Sequence, residues 1–263
     1  MKKILSVFLV LLIVSGCGAK KGDDDKIIKV TATALPHAEI LKQVVEPLKN
    51  EGYTLEINVV DDYKIPNTLL DDGTIDANYF QHIPYLSDFN KQANSDLQWA
   101  LKVHYEPIAI YAGKKDTLDA VKEGDTVLVP DDPTNLPRAL SLLEELGWIE
   151  LTGEKLRLKD IAVNHYNLDI KEIQADNITP LIDDADYAII NGNYALAADI
   201  TQRGLQAESI SQEKVDEIVN VIAVRKDDLE SDKTKALIKA FSDPKVKTFI
   251  EEKYAPSVIS TLD

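Results

Sequence analysis

The chain is short of cysteine, methionine and positive charge, and each shortage narrows what it can be. Cys17 is the single cysteine in 263 residues, so no intramolecular disulfide and no cysteine metal cluster can form. Met1 is the single methionine. Lys and Arg total 29 against 45 Asp and Glu, for a formal net charge of −16. That balance argues against nucleic acid, whose phosphates require Lys and Arg, and against electrostatic adsorption to anionic lipid. It leaves room for a small zwitterion held at one buried arginine. The four histidines (His37, His82, His104, His165) are scattered without HxxxH or HxH pairing, so no metal site is expected. GxSxG, P-loop, GxGxxG and HExxH signatures are missing too. Nothing sets a nucleophile beside a base, and neither an enzyme nor a cofactor is expected.

Long apolar runs are scarce as well. Residues 4–14 form one, broken only by Ser6 and preceded by Lys2 and Lys3. It is too short to span a bilayer, which takes about 20 apolar residues, and it suits the h-region of a secretory signal peptide. Ser15 and Gly16 follow, and Val14-Ser15-Gly16-Cys17 resembles the bacterial lipobox. The alternative is an ordinary signal peptide with a cysteine nearby. The resemblance implies cleavage before Cys17 and lipidation of its thiol, palmitate included. Two acyl chains anchor far better than one. The expected location is therefore the extracytoplasmic face of the cell membrane. Losing residues 1–16 leaves 247 residues and, with two lysines gone, a net charge of −18. Residues 17–26, ending in AKKGDDDK, read as a lipidated flexible tether.

Beyond the tether, short apolar runs alternate with helical stretches, and the chain's 44% hydrophobic content is enough for a sizeable core. Strands are expected at 28–33, 55–60, 76–80, 108–113, 126–130, 186–191 and 219–224. A helix is expected at 38–50, with Ile40, Val44 and Leu48 on one face, Pro47 kinking it and Gly52 stopping it. Others are expected at 135–146 before Gly147, and at 233–241 and 245–254 on either side of Asp243-Pro244. Such alternation predicts an α/β fold with mostly parallel sheets. Domain boundaries are not legible from linker composition.

Three clusters carry chemistry. In Asp76-Ala77-Asn78-Tyr79-Phe80-Gln81-His82-Ile83-Pro84-Tyr85-Leu86, Phe80 and His82 stand two apart and share a side of an extended backbone. They form a wall for an apolar ligand chain, or else Phe80 is core and His82 caps a turn. In Asp131-Asp132-Pro133-Thr134-Asn135-Leu136-Pro137-Arg138-Ala139-Leu140, Thr134 is a candidate N-cap with Pro137 at N3, where its missing N–H costs no helical bond. Arg138 then sits by the positive end of a helix dipole, a poor place for a lone cation. Either it offers a bidentate fork to a carboxylate there, or it pairs with an acid at the surface. In Asn191-Gly192-Asn193-Tyr194-Ala195, after an expected strand, Asn191 is better read as a turn residue, and Asn193 is freer to serve a ligand. Asp61-Asp62-Tyr63 reads as an acidic turn, with Tyr63 a possible second wall.

Together with Pro36-His37-Ala38-Glu39-Ile40-Leu41 and Asp62-Tyr63, these clusters resemble the methionine-binding lipoproteins of ABC importers, the NlpA family of solute-binding proteins. The likeness runs over nearly the whole mature chain. It implies a two-lobed, periplasmic-binding-protein-like clamp with the ligand in the cleft. One lobe would take residues 27–111 and 225–263, the other 112–224. By the same resemblance, Tyr63, Phe80 and His82 enclose a methionine-like side chain, and Arg138 meets the α-carboxylate. Asn135, Asn193 and Asn220 fix polar atoms. The partners implied are methionine and a membrane ABC permease, and the receptor would be a monomer. Two positions depart from the family pattern: Asp131 where Asn is usual, and Pro137 where a small residue is common. Both flank the carboxylate site and leave D-methionine or a short methionine-containing peptide as alternative ligands. An extracytoplasmic enzyme on an amino-acid derivative and a surface adhesin are the readings of other classes.

Overall fold

The computed structural model describes residues 24–153, 156–209 and 211–263. The signal peptide, Cys17 and the tether up to residue 23 lie outside the described residues. The chain begins with β1 (Ile27–Thr33), α1 (Glu39–Gln43), α2 (Val45–Asn50), β2 (Thr54–Val60), α3 (Ile65–Asp71), β3 (Ala77–His82), α4 (Ile83–Ala93) and β4 (Gln98–Tyr105). It then passes through Glu106 into β5 (Ala109–Ala112), β6 (Thr126–Pro130), α5 (Asn135–Glu145), β7 (Ile149–Leu151), β8 (Ile161–Asn164), β9 (Asp169–Ile173), α6 (Ile178–Leu181), β10 (Tyr187–Ile190), α7 (Gly192–Ala197) and β11 (Gly204–Ala207). A return passage holding Glu208 and α8 (Gln212–Glu217) leads to β12 (Asn220–Val224), α9 (Asp232–Phe241), α10 (Pro244–Tyr254) and β13 (Ile259–Ser260).

Two sheets define two lobes. The six-stranded sheet has the order β13-β4-β12-β3-β1-β2, and the five-stranded one β11-β5-β10-β6-β9. Both are mixed rather than mostly parallel. β1 runs parallel to β2 and β3, but β12 is antiparallel to both its neighbours. β10 is parallel to β6 and antiparallel to β5. β12 and β5 run against their neighbours because a chain arriving from the other lobe enters the sheet from the cleft end; β13, after α10, is antiparallel to β4 as well. The lobe limits expected from resemblance therefore shift. Residues 109–112 belong to the second sheet and 220–224 to the first.

Alternation along the central strands fills both faces of each sheet. On β12, Ile222 and Val224 join the core under α1, α2, α9 and α10, while Val221 and Ala223 join the one under α3 and α4. On β10, Tyr187 and Ile189 face α5, and Ala188 and Ile190 face α6 and α7. Each wholly buried Leu or Ile contributes roughly 1.5–3 kcal/mol, so these four cores hold the frame rigid around the cleft. Gly113 is required at the edge of the second lobe, because a Cβ there would stand 2.3 Å from the Ala185 carbonyl.

Local signals explain the helices. Leu136, Leu140 and Leu143 recur at i, i+4 and i+7 on α5 and are buried with Ala139 and Leu142. Thr134, however, makes no cap bond. Asp132 Oδ1 does that work, accepting from Thr134 N at 3.0 Å and Asn135 N at 2.9 Å. The helix expected at 38–50 is two helices broken at Val44. Pro47 thereby falls at N3 of α2, where it has no bond to lose. Gly52, at φ 82°, closes α2. Among the described residues no helix is long and apolar enough to cross a membrane.

Candidate functional site

The ends of β3, β6 and β10 point into the gap between the lobes, the place where α/β sheets present ligand groups. A cavity lies there, lined by Tyr63, Phe80, Gln81, His82, Tyr85, Glu106, Asn135, Arg138, Asn191, Gly192, Asn193 and Asn220. All seven ligand residues named from sequence are among them. Neither Asp131 nor Pro137 is: Asp131 is exposed and Pro137 half-buried.

The first lobe supplies the aromatic wall. Opposite Phe80 the ladder skips a residue, Val221 pairing with Gln81 and Ile222 with Tyr79. The bulge falls at Phe80; Phe80 and His82, two apart, both line the cavity, while the Gln81 side chain is turned to Asn67. Gln81 is locked there in a buried amide network, donating to Asn67 Oδ1 at 2.6 Å and accepting from Asn67 Nδ2 at 2.8 Å. Tyr63 precedes α3, whose first turn is capped by Asp62 Oδ1 accepting from Lys64 N at 2.7 Å and Ile65 N at 3.0 Å. Its ring lies 5.7 Å from Phe80, 5.6 Å from Tyr85 and 4.9 Å from Tyr194. These spacings suit edge and offset aromatic contact.

His82 belongs to both readings that sequence left open. Its Nδ1 accepts from Tyr85 N at 3.2 Å, capping α4, and its Nε2–H donates to Asn135 Oδ1 at 3.0 Å across the cleft. With one nitrogen accepting and the other donating, the ring is neutral. Burial, and then the Arg138 charge, lower its pKa accordingly. A second bond spans the cleft where Tyr63 Oη–H donates to Asn193 Oδ1 at 2.5 Å.

Arg138 is neither at the surface nor free. Its Nε donates to Glu208 Oε2 at 3.2 Å and its NH2 to Glu208 Oε1, so the bidentate fork grips a carboxylate of the protein itself. NH2 also donates to the Glu106 carbonyl at 2.9 Å, and NH1 to Asn135 Oδ1 at 3.0 Å. A guanidinium carries five N–H groups, and with four engaged, one N–H of NH1 is left for a ligand. Burial opposes the charge, but the adjacent Glu208 carboxylate outweighs it and raises the pKa of Arg138.

Across the cavity, Glu106 is 7% exposed and was not foreseen from sequence. Burial raises its pKa, against the opposing pull of His37, the Asn193 N–H and Arg138. A relay holds it from behind: Tyr79 Oη–H donates to His104 Nδ1 at 2.5 Å, and His104 Nε2–H donates to Glu106 Oε1 at 2.7 Å. His37 Nε2 lies 3.5 Å from the same oxygen and donates to Asn220 Oδ1 at 3.2 Å, while Thr33 Oγ–H donates to His37 Nδ1 at 2.7 Å. Burial depresses His37 to about 4 and His104 to about 3. Histidines scattered in sequence are thus gathered in space. Their ligand atoms and that of Glu106 lie within 4.8 Å of one another, close enough to hold a metal ion. Every ring nitrogen is already hydrogen-bonded, and the chemistry is that of a relay orienting a carboxylate.

At Gly192 the backbone comes close to the carboxylate: a Cβ there would stand 3.2 Å from Glu106 Oε2 and press on it. Beside it, Asn191 Oδ1 is buried and has no hydrogen-bond partner among the described residues. Asn191 therefore belongs to the cavity as well as to the turn. Gln81, Gly192, Tyr85 and Glu106 were the other omissions. Tyr85 stood in a quoted motif, one turn past His82. Glu106 carried one faint signal, a lone acid in the apolar stretch VHYEPIAIY.

Residues 28–262 match the model of a family described as NlpA lipoprotein. The chain is 36% identical to the methionine-binding lipoprotein MetQ of Bacillus subtilis, over 98% of each protein. A nutrient-binding protein of Burkholderia cenocepacia, solved bound to methionine, superposes with a TM-score of 0.83 at 36% identity, covering 89% of this chain and 100% of that one. An ABC-transporter periplasmic substrate-binding protein of Coxiella burnetii gives 0.82 at 31% identity, covering 89% and 99%.

Proposed function

The chain belongs to the NlpA lipoprotein family, and on that premise we propose that it is an extracytoplasmic receptor that captures methionine and delivers it to an ABC importer. The observation carrying this reading is the pairing of opposite charges in one cavity with an aromatic wall: Arg138, Glu106, and the rings of Tyr63, Phe80 and Tyr85. A zwitterion with a long unbranched apolar side chain satisfies all three. Its α-carboxylate takes the remaining N–H of Arg138, and its α-ammonium goes to Glu106 and Asn191 Oδ1. Its thioether lies among the rings, a contact worth roughly 0.3–1.5 kcal/mol. Asn135, Asn193 and Asn220 fix the polar end and His82 completes the wall. Charge-assisted bonds in a desolvated cleft then supply most of the affinity.

The groups converge to hold a molecule rather than to transform it, so the reading includes no catalysis. It does include a diacylglycerol thioether on Cys17, a tether through residue 26, a location on the outer face of the cell membrane and a monomeric state. D-methionine and a methionine-containing dipeptide share the required ends and are the alternative ligands.

Calorimetry on protein unfolded and refolded to strip bound solute tests the receptor. Binding of methionine in preference to alanine supports it, and no binding by any amino acid or short peptide, with a native refolded spectrum, rejects it. The anchor is tested by Cys17→Ala, which should shift the protein from the membrane to the soluble fraction.

A further inference from the structure

Glu208 does not line the cavity, yet it is the partner that fixes the binding arginine. It follows β11 on the return passage, and its side chain is 7% exposed. Its carboxylate is saturated: Oε1 accepts from Arg138 NH2, from Tyr105 Oη–H at 2.8 Å and from Ile108 N at 3.1 Å, and Oε2 accepts from Arg138 Nε at 3.2 Å. Those donors come from the end of β4 in the first lobe, from the outward passage and from α5 in the second lobe. The same guanidinium also donates to the Glu106 carbonyl on the outward passage. One arginine thus touches both strands that join the lobes. NH1 alone is turned to a cavity side chain, that of Asn135.

We infer that Glu208 is a positioning residue for ligand capture: it orients Arg138 so that the free NH1 edge meets a ligand carboxylate, and it ties that grip to both passages between the lobes. This rests on the receptor reading. The competing role for such an acid is that of a counter-ion that merely neutralises Arg138. The two roles have opposite signs. Loss of a competitor strengthens carboxylate binding, whereas loss of a positioner weakens it and spares ligands that present no carboxylate.

The test compares L-methionine with L-methioninamide, by calorimetry, on the full chain as wild type, Glu208→Gln and Tyr105→Phe, with thermal unfolding as the check on folding. Glutamine keeps the shape but turns an amide NH2 toward the guanidinium. Methionine affinity should fall about tenfold or more in Glu208→Gln, the scale of a lost charged hydrogen bond. Methioninamide affinity should change less than about threefold, so the preference for the acid collapses. Tyr105→Phe removes a single bond to Glu208 and should lower that preference in the same direction, about twofold to fivefold. It decides the matter if Glu208→Gln does not fold. Equal loss for both ligands, no change, or tighter methionine binding overturns the positioning role. Wild-type protein that binds neither compound overturns the receptor reading and this inference with it, a result distinct from a wild type that prefers the acid while the variants keep its preference.

Discussion

Tyr63 and Asn193 meet across the cleft, the phenol of one lobe donating to the amide oxygen of the other at 2.5 Å. The donor stands on the loop before α3 and the acceptor on the first turn of α7. Their bond, with that from His82 to Asn135, latches the two lobes together around the cavity.

Tyr63→Phe removes the latch and keeps the ring against Phe80, Tyr85 and Tyr194. A neutral hydrogen bond is worth about 0.5–1.5 kcal/mol net. Methionine affinity should therefore drop roughly threefold to tenfold, with the unfolding midpoint in urea nearly unchanged. Unaltered affinity in calorimetry would show that the latch carries no binding energy.

Asn191 makes the opposite pattern from an ordinary buried amide. Its Oδ1 has no partner among the described residues, so truncation breaks no bond that this oxygen makes to them. Asn191→Ala should leave the free protein as stable as wild type or slightly more so, while weakening methionine by several-fold. Loss of stability without loss of affinity would place the residue in the frame rather than in the site.

Arg138→Lys retains the charge and loses the fork. Two consequences are expected together: Glu208 is left poorly paired in a buried position, costing roughly 1–3 kcal/mol of stability, and methionine affinity falls by one to two orders of magnitude. Arg138→Ala should cost more still, because it strands a buried carboxylate. A lysine variant equal to wild type in both measurements would rule out any need for the guanidinium geometry.

Acid should act through the relay. His37 and His104 are held neutral, their pKa values lowered to about 4 and about 3. Their stabilising contribution is complete above the unfolded value of about 6.5 and is lost as pH falls toward the folded values, by up to about 1.4 kcal/mol per pH unit for each ring. Glu106, raised by burial, works in the opposite sense: its contribution is present at low pH and lost as pH rises through its folded pKa. Ligand binding has a different dependence, because an ammonium needs Glu106 ionised, and affinity should fall on acidification sooner than for an exposed carboxylate. Nitrogen NMR of the histidine rings from pH 7.5 to 5 tests the first point; two buried rings that protonate near pH 6.5 would disprove it.

Phe80→Ala should act on side-chain length. Phe80 is 2% exposed and faces the cavity, so the variant loses both core packing, about 3–5 kcal/mol, and the wall. The affinity ratio of methionine to alanine is the readout; equal losses for the two amino acids would assign Phe80 to the frame alone.

Much of the site was legible because its residues stand in dense local motifs. Phe80 and His82 are two apart on a strand, and Asn135 and Arg138 share one turn of α5. Elements set by periodic apolar residues, such as α5 and β12, were legible too. What stayed hidden depends on contacts distant in sequence. Glu106 is buried by lobes that close on it, and the partner of Arg138 lies 70 residues away at Glu208, so no spacing could announce that the fork was taken. The mixed sheets escaped for the same reason, since strand direction at the passages is a property of two lobes and not of any segment.

The position of β12 bears on how the protein is made. It lies between β3 and β4 in the six-stranded sheet, although some 115 residues separate it from the nearer of them in the chain. The five-stranded sheet is drawn from the single continuous stretch 109–207. When the chain is laid down from its N-terminus, the N-terminal lobe therefore cannot complete itself first: β3 and β4 wait for residues 220–224, and the later lobe is the one able to close early. Pairing of such high sequence separation is slow. The leading half of the chain therefore stays open until residues 220–224 reach it.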